Sequence, residues 1–389
     1  MKMINFLIFF SIVLMVYALT NYYIFIRGWQ ALPAHSPVRK VYLIVFIVFV
    51  TAFIIGRILE KLWLSPVSDL FVWIGSFWLA AMLYFFLIVF FLDLFRLMNH
   101  WIPLLKLSPE KYNRVKFITW GTSIFVVVVI VILGHLNAIN PRVRTISLTI
   151  AKASPLQKLN IVAASDIHLG TIIGRKRFCK IVNKINNLNP DLILLPGDIV
   201  DEDLAPVVKE NLGAALTSLK ARYGVIAITG NHEYIGGVES ATRYLAEHQV
   251  LVLRDSVIKI NGGIYIVGRE DRSGPQFGGK PRKTLAELMA SVEREFPIIL
   301  MDHQPFKLHE ASQQGVDLQI SGHTHHGQLW PLNYITAAIY EVSWGYKKIE
   351  KTHYYVSSGA GTWGPPVRTG NRPEIVNLIL SFEPNTNVE

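Results

Sequence analysis

Four long apolar stretches near the start of this chain constrain it most. A helix that crosses a bilayer needs ~20 mostly apolar residues to span the ~30 Å hydrocarbon core. Residues 3–26, 41–59, 70–92 and 117–140 each meet that requirement. The first carries no charge between Lys2 and Arg27. The second is apolar except for Arg57, close enough to its end to snorkel. The third is bounded by Asp69 and Asp93, and the fourth contains the run Val126–Leu133. Trp29, Trp63, Trp73 and Trp101 stand near span ends, where indoles favour the interface. One such stretch could be a buried core helix; four in succession read as a transmembrane region over residues 1–141. The first is too long for the ~7–15-residue apolar part of a signal peptide, and no small-x-small site follows, so it reads as a retained helix. No intramembrane acid, base or broken-helix pattern marks a transport path. The spans read as an anchor and not as a pump.

Composition agrees with a multi-pass protein of the cell membrane. Hydrophobic residues make up 51% and charged residues 17%, against ~25% charged in soluble proteins. Disorder and collagen-like repeats are excluded by the same figures. The single cysteine, Cys179, rules out an intrachain disulfide and a cysteine-based zinc site. Of the net charge of +10, +7 falls in residues 1–141, between apolar segments. That distribution suits membrane loops, and nucleic acid is not an expected partner. Loops 27–40 and 93–116 hold eight Lys/Arg, whereas the connecting loop on the other side holds Arg57 and Lys61. The positive-inside tendency then leans toward a non-cytoplasmic C-terminal domain.

The texture changes after a linker expected at 142–154. A domain is expected over 155–385, in which short apolar runs alternate with helical patterns and Gly/Pro turns. Strands are expected at Leu159–Ser165, Leu192–Leu195, Val225–Thr229, Ile264–Val267, Ile298–Met301, Leu318–Ser321, Tyr354–Ser357 and Val376–Phe382. Phe178, Ile181, Val182, Ile185 and Leu188 recur at helical spacing over Arg175–Leu188. The class is α/β, with room for two sheets.

Five of these strands end on potential ligands. Asp166 and His168 follow the first, Asp198 the second, and Asn231, His232 and Glu233 the third. His303 follows Ile298–Met301, and His323 and His325 follow Leu318–Ser321. Functional groups of α/β folds gather at the carboxyl ends of strands. Glycines at 197, 230 and 322 let the chain turn there. A lone histidine or a Gly-Asp pair means little. The conjunction is a set of oxygen and imidazole donors without thiolate, suited to Mn, Fe, Zn or Mg. Asp191, Asp201, Glu202, Asp203 and Glu233 read as solvated loop acids rather than as groups supporting the ligands.

In these blocks, D-x-H, GD, GNHE, a lone His and GHxH in order over Asp166–His325, the sequence resembles the calcineurin-like metallophosphoesterases. Four preceding spans make it similar to the subgroup described as transmembrane protein with metallophosphoesterase domain. The resemblance implies an α/β/β/α sandwich holding two divalent metal ions. Asp166, His168 and His325 would bind the first ion, and Asn231, His303 and His323 the second. Asp198 would bridge them. His232 would protonate the leaving oxygen or stabilise the transition state. His326 stands where relatives often have Gly, and reads as a rim residue or as an added contact.

The chemistry fits. Two divalent ions ~3.5–4 Å apart neutralise an anionic phosphate, acidify a shared water, and align attacking and leaving oxygens. An imidazole supplies the leaving group's proton. The expected reaction is hydrolysis of a phosphodiester or pyrophosphate by a metal-bridging hydroxide. The anchor points to a lipid-linked substrate and a bilayer partner, and the resemblance suggests UDP-2,3-diacylglucosamine as an example. That nucleotide-linked substrate is cytoplasmic, opposite to the side favoured by the charge count. Soluble nucleotides, phosphoproteins and a non-catalytic metal-binding sensor are the alternatives. Residues 329–346 carry many aromatics and one charge, Glu341. They either border the site and meet acyl chains or pack into the core.

Overall fold

The computed structural model describes residues 2–383. They form two compact units, one ending at His135 and one starting at Leu136. Among the described residues, four helices are long and apolar enough to cross a membrane: α1 (Lys2–Ala31), α2 (Pro37–Leu62), α3 (Pro66–Trp101) and α4 (Pro109–Ala138). Local chemistry fixes their starts. Ser36 caps α2 and Ser65 caps α3, each followed by a proline at the first helical position, where its missing N–H costs nothing. α2 and α3 meet through small residues. A Cβ on Gly56 would lie 2.7 Å from the backbone nitrogen of Val72, so glycine there permits close backbone approach. Within this first unit, Trp78 Nε1 donates to Asn21 Oδ1 at 3.0 Å, joining α3 to α1.

The second unit contains two six-stranded sheets. Its strands are β1 (Arg142–Ile150), β2 (Lys158–Ala163), β3 (Leu192–Pro196), β4 (Val225–Ile228), β5 (Val250–Leu253) and β6 (Ser256–Ile260), then β7 (Ile264–Gly268), β8 (Ile298–Met301), β9 (Leu318–Ser321), β10 (Gly345–Ile349), β11 (Thr352–Val356) and β12 (Glu374–Phe382). The first sheet runs β1-β12-β2-β3-β4-β5 and the second β10-β11-β9-β8-β7-β6. β2 to β5 are parallel, as are β7, β8, β9 and β11. Side chains alternate across each sheet. Ile161 points to the layer between the sheets with Leu194, Ile226, Ile299 and Ile320, whereas Val162 and Ile193 meet Phe178, Ile181 and Ile185 of the helix Arg175–Asn186. Leu285, Leu288 and Ala311 cover the far face of the second sheet. Each such buried aliphatic side chain contributes about 1.5–3 kcal/mol. The layers are α/β/β/α.

The structure corrects one boundary. Residues 142–150, expected as linker, are β1, paired in parallel with β12 along its length. Only Leu148 and Ile150 of that strand are buried, so no apolar run announces it. The expected end of the domain, residue 385, lies outside the described residues.

Candidate metal centre

Because β2, β3 and β4 are parallel, their carboxyl ends share one edge of the first sheet; those of β8 and β9 share an edge of the second. The chain turns sharply there. Asp166, His168, Asp198, His323 and His325 all have φ between 45° and 71°. Non-glycine residues rarely adopt this left-handed conformation, and such strain clusters at functional sites. Gly197, at φ 86°, also needs its missing side chain: a Cβ would sit 2.6 Å from His303 Nδ1.

Three overlapping groups of side chains converge, each with ligand atoms within 4.8 Å of one another: Asp166 with His168 and His325; His168 with Asp198 and His232; Asp198 with His303 and His323. Asn231 joins the third group, its Oδ1 2.8 Å from His323 Nδ1. The eight residues singled out in the sequence thus lie together. Asp198 and His168 are each shared by two groups.

The donors suit divalent cations. Asp166 is fully buried, and its Oδ2 has no hydrogen-bond partner among the described residues. An uncompensated buried carboxylate is costly, and a cation relieves it. His303 Nδ1 lies 2.7 Å from the carbonyl of Pro196 and can only donate there, while its Nε2 faces Asp198 Oδ2 at 3.1 Å, the position a cation would share once that nitrogen has lost its proton. This backbone-tethered imidazole is the usual arrangement of a metal-ligating histidine. His168 Nε2 and His325 Nε2 face each other at 3.0 Å.

Electrostatics divides the imidazoles. Burial would raise the carboxyl of Asp198, but His303, His232 and His168 outweigh it and hold it well below the usual range. Burial opposes charge on His232, yet Asp198, Asp201 and Glu202 push its pKa up to about 9. Burial followed by the repulsion of His303 takes His323 down to about 4. Burial, His168 and Arg368 hold His325 well below its ordinary value.

Two acids correct the sequence reading. Glu233 is buried, not solvated. Its carboxylate accepts from the backbone N–H groups of Asp198, Ile199, Val200 and Gly230 at 2.7–3.1 Å, holding the β3 turn around Asp198. Asp201 Oδ1 lies 3.0 Å from His232 Nδ1 and 3.5 Å from His168 Nδ1. Asp191 does accept a peripheral bond, from Asn160 N at 2.8 Å. His326 turns away to Ser343 Oγ, 3.0 Å off, and to the ring of Trp344, so it sits on the rim.

Sequence reading missed Arg368. It is completely buried, and its guanidinium donates to Gly361 O at 2.8 Å, to Asn371 Oδ1 at 2.6 Å and to His325 Nδ1 at 2.9 Å. An arginine is only a donor, so it fixes how His325 presents Nε2. Only the 43-residue separation hides it; no motif signals an isolated Arg. Arg368→Leu should weaken metal binding ~10–100-fold, the usual effect of losing a partner behind a ligand. Arg368→Lys should not restore it, because one ammonium cannot reproduce the fork. Competition with a metallochromic chelator checks both. Trp363 was also missed; its ring lies 5.9 Å from that of His232.

Comparison with known proteins bears on this geometry. Residues 159–327 match the family described as Calcineurin-like phosphoesterase. An uncharacterized metallophosphoesterase of Campylobacter jejuni is 30% identical over 381 residues, covering 96% of this chain and 98% of that protein. One from Aquifex aeolicus is 30% identical over 263 residues, covering 67% of this chain and 100% of its own. A zebrafish (Danio rerio) protein named transmembrane protein with metallophosphoesterase domain is 29% identical over 328 residues, covering 79% and 74%.

Proposed function

We propose, since the chain belongs to the calcineurin-like metallophosphoesterase family, that this metal-dependent phosphoester hydrolase acts on a lipid-linked phosphodiester or pyrophosphate. A UDP-2,3-diacylglucosamine-type compound is one example. In this reading the protein is a multi-pass membrane protein; its loop charges favour a non-cytoplasmic catalytic domain, whereas a nucleotide-linked substrate would require a cytoplasmic one. Asp166, His168 and His325 would hold one divalent ion, Asn231, His303 and His323 the other, and Asp198 would serve both. The chemistry two such ions supply when bound is neutralisation of the phosphate's charge and acidification of a water. His232 gives its proton to the leaving oxygen. Asp201, 3.0 Å from Nδ1, orients that imidazole, and Trp363 walls it from one side.

One observation carries the lipid part. The helix Leu332–Ile339, directly after the GHxH block, has no buried residue. Tyr334, Ile335 and Ile339 are 57–66% exposed, whereas Leu329 and Val342 of the same segment are buried, which supports a segment anchored at its ends with the helix facing outward. The segment also borders the ligands: the ring of Tyr340 lies 6.1 Å from that of His323. An apolar, aromatic surface beside a phosphoester site suits an acyl chain or an interface.

The test compares kcat/KM of the full chain in detergent micelles on a short-chain and a long-chain phosphodiester with the same head. The long-chain substrate should be at least tenfold better, and Tyr334→Ser with Ile335→Ser should remove most of the difference. Equal rates on both would leave a phosphoesterase without a lipid preference.

A further inference from the structure

The first unit holds a cavity that the anchor reading did not foresee. Helices α1 to α4 line a half-open cleft of about 1230 Å³. Its lining runs from Tyr112 to Ile132 on α4, about 30 Å at 1.5 Å per residue, comparable to the hydrocarbon depth of a bilayer. Most of the wall is apolar, with Phe46, Trp78, Phe85, Val127 and Val131 among it.

One end differs. There the last turns of α1 and α3 meet the first turns of α2 and α4, and Arg27, Arg39, Arg96 and Lys116 line the space. Asp93 is the acid among the lining residues and serves two of these cations, 2.8 Å from Arg27 Nη2 and 3.3 Å from Arg96 Nη1. Arg39 Nη2 donates to Leu32 O at 2.9 Å, and Lys116 Nζ to Gln30 O at 3.4 Å. Neutral carbonyls accept those bonds without cancelling the charge. The Nε atoms of Arg27 and Arg39 are buried with no hydrogen-bond partner among the described residues. Unmatched positive charge and unmet donors close one end of a greasy shaft.

We propose that this cavity binds one phospholipid with an anionic head, the phosphate on the four cations and a hydrocarbon chain along α4. A chain of that length gains free energy with each buried methylene, and an anionic head answers the excess cations. The inference concerns the helical unit alone and stands whether or not the hydrolase prefers lipid substrates.

The test is equilibrium binding to the delipidated full chain in detergent, read by native mass spectrometry. The probes are phosphatidylglycerol, phosphatidylcholine and glycerol 3-phosphate. One phosphatidylglycerol should bind per chain, at least tenfold tighter than phosphatidylcholine, and glycerol 3-phosphate should not displace it. Each cation beside an anionic head is worth about fivefold. Arg39→Gln combined with Lys116→Gln should therefore weaken phosphatidylglycerol at least tenfold and phosphatidylcholine less, because the choline already offsets its phosphate. Val131→Trp keeps every charge but fills the shaft, and should weaken both lipids. Equal affinity for the two lipids overturns the proposal, as does phosphatidylglycerol binding that neither variant alters. Displacement by glycerol 3-phosphate also overturns it, by assigning the site to a free phosphate.

Discussion

Asp198→Ala abolishes metal-dependent hydrolysis of bis-p-nitrophenyl phosphate and strips metal from the protein: this is the largest effect expected of any single substitution here. Asp198 sits between the two sheets' ligand sets, within reach of His168 and His232 on one side and His303 and His323 on the other. The backbone N–H of His232 donates to its Oδ1 at 2.9 Å, and its turn is held by Glu233. Losing one preorganised charge-stabilising group costs ~10²–10³ in kcat in other enzymes; losing a carboxylate common to both ligand sets should exceed that. Asp198→Asn keeps the shape and removes the charge. It should behave like the alanine variant, which separates electrostatics from cavity formation. The measurements are turnover and metal per chain by elemental analysis, and wild-type values for both would remove Asp198 from the bridging role.

His232→Ala should keep its metal and lose ~10²–10⁴-fold in kcat, the usual worth of a general acid. The imidazole lies close enough to His168 and Asp198 to be mistaken for a ligand, so metal content is the discriminating readout. Loss of an ion in this variant would make His232 a ligand. Asp198, Asp201 and Glu202 push its pKa up to about 9, which favours the protonated donor. A raised pKa places the active, protonated form below that value. The His232-dependent rate should therefore fall as pH rises toward 9. Bound divalent ions offset the charge of Asp198 and move this limb to lower pH. A profile flat from pH 6 to 10 in the wild type would contradict the acid role.

The limits of sequence reading have a simple physical form. The eight expected strands correspond to β2, β3, β4, β7, β8, β9, β11 and β12. The four that were not expected, β1, β5, β6 and β10, are the edges of the two sheets. Interior strands are apolar on both faces, as in Leu192–Pro196, where every residue is buried. An edge such as β10 buries only Gly345 and leaves Tyr346, Lys347 and Lys348 exposed, so it reads as a loop. The ligands were legible because each follows a buried strand with a recognisable turn. Glu233, Asp201 and Arg368 were not. Their partners at the site lie 31–43 residues away, and an isolated acid or arginine looks alike in solvent and in a core. The same applies to the helical cavity. Arg27, Arg39, Arg96 and Lys116 were counted as loop charges, and only antiparallel packing brings them to one place.

The hydrolase activity depends on two cations held across the edges of two sheets. Anomalous diffraction from crystals of the full chain grown with Mn²⁺ tests this most directly. Two peaks ~3.5–4 Å apart are expected, the spacing of a two-metal phosphoesterase. Asp166, His168 and His325 should contact one, Asn231, His303 and His323 the other, and Asp198 both. A single peak, or peaks that Asp198 does not touch, would contradict it.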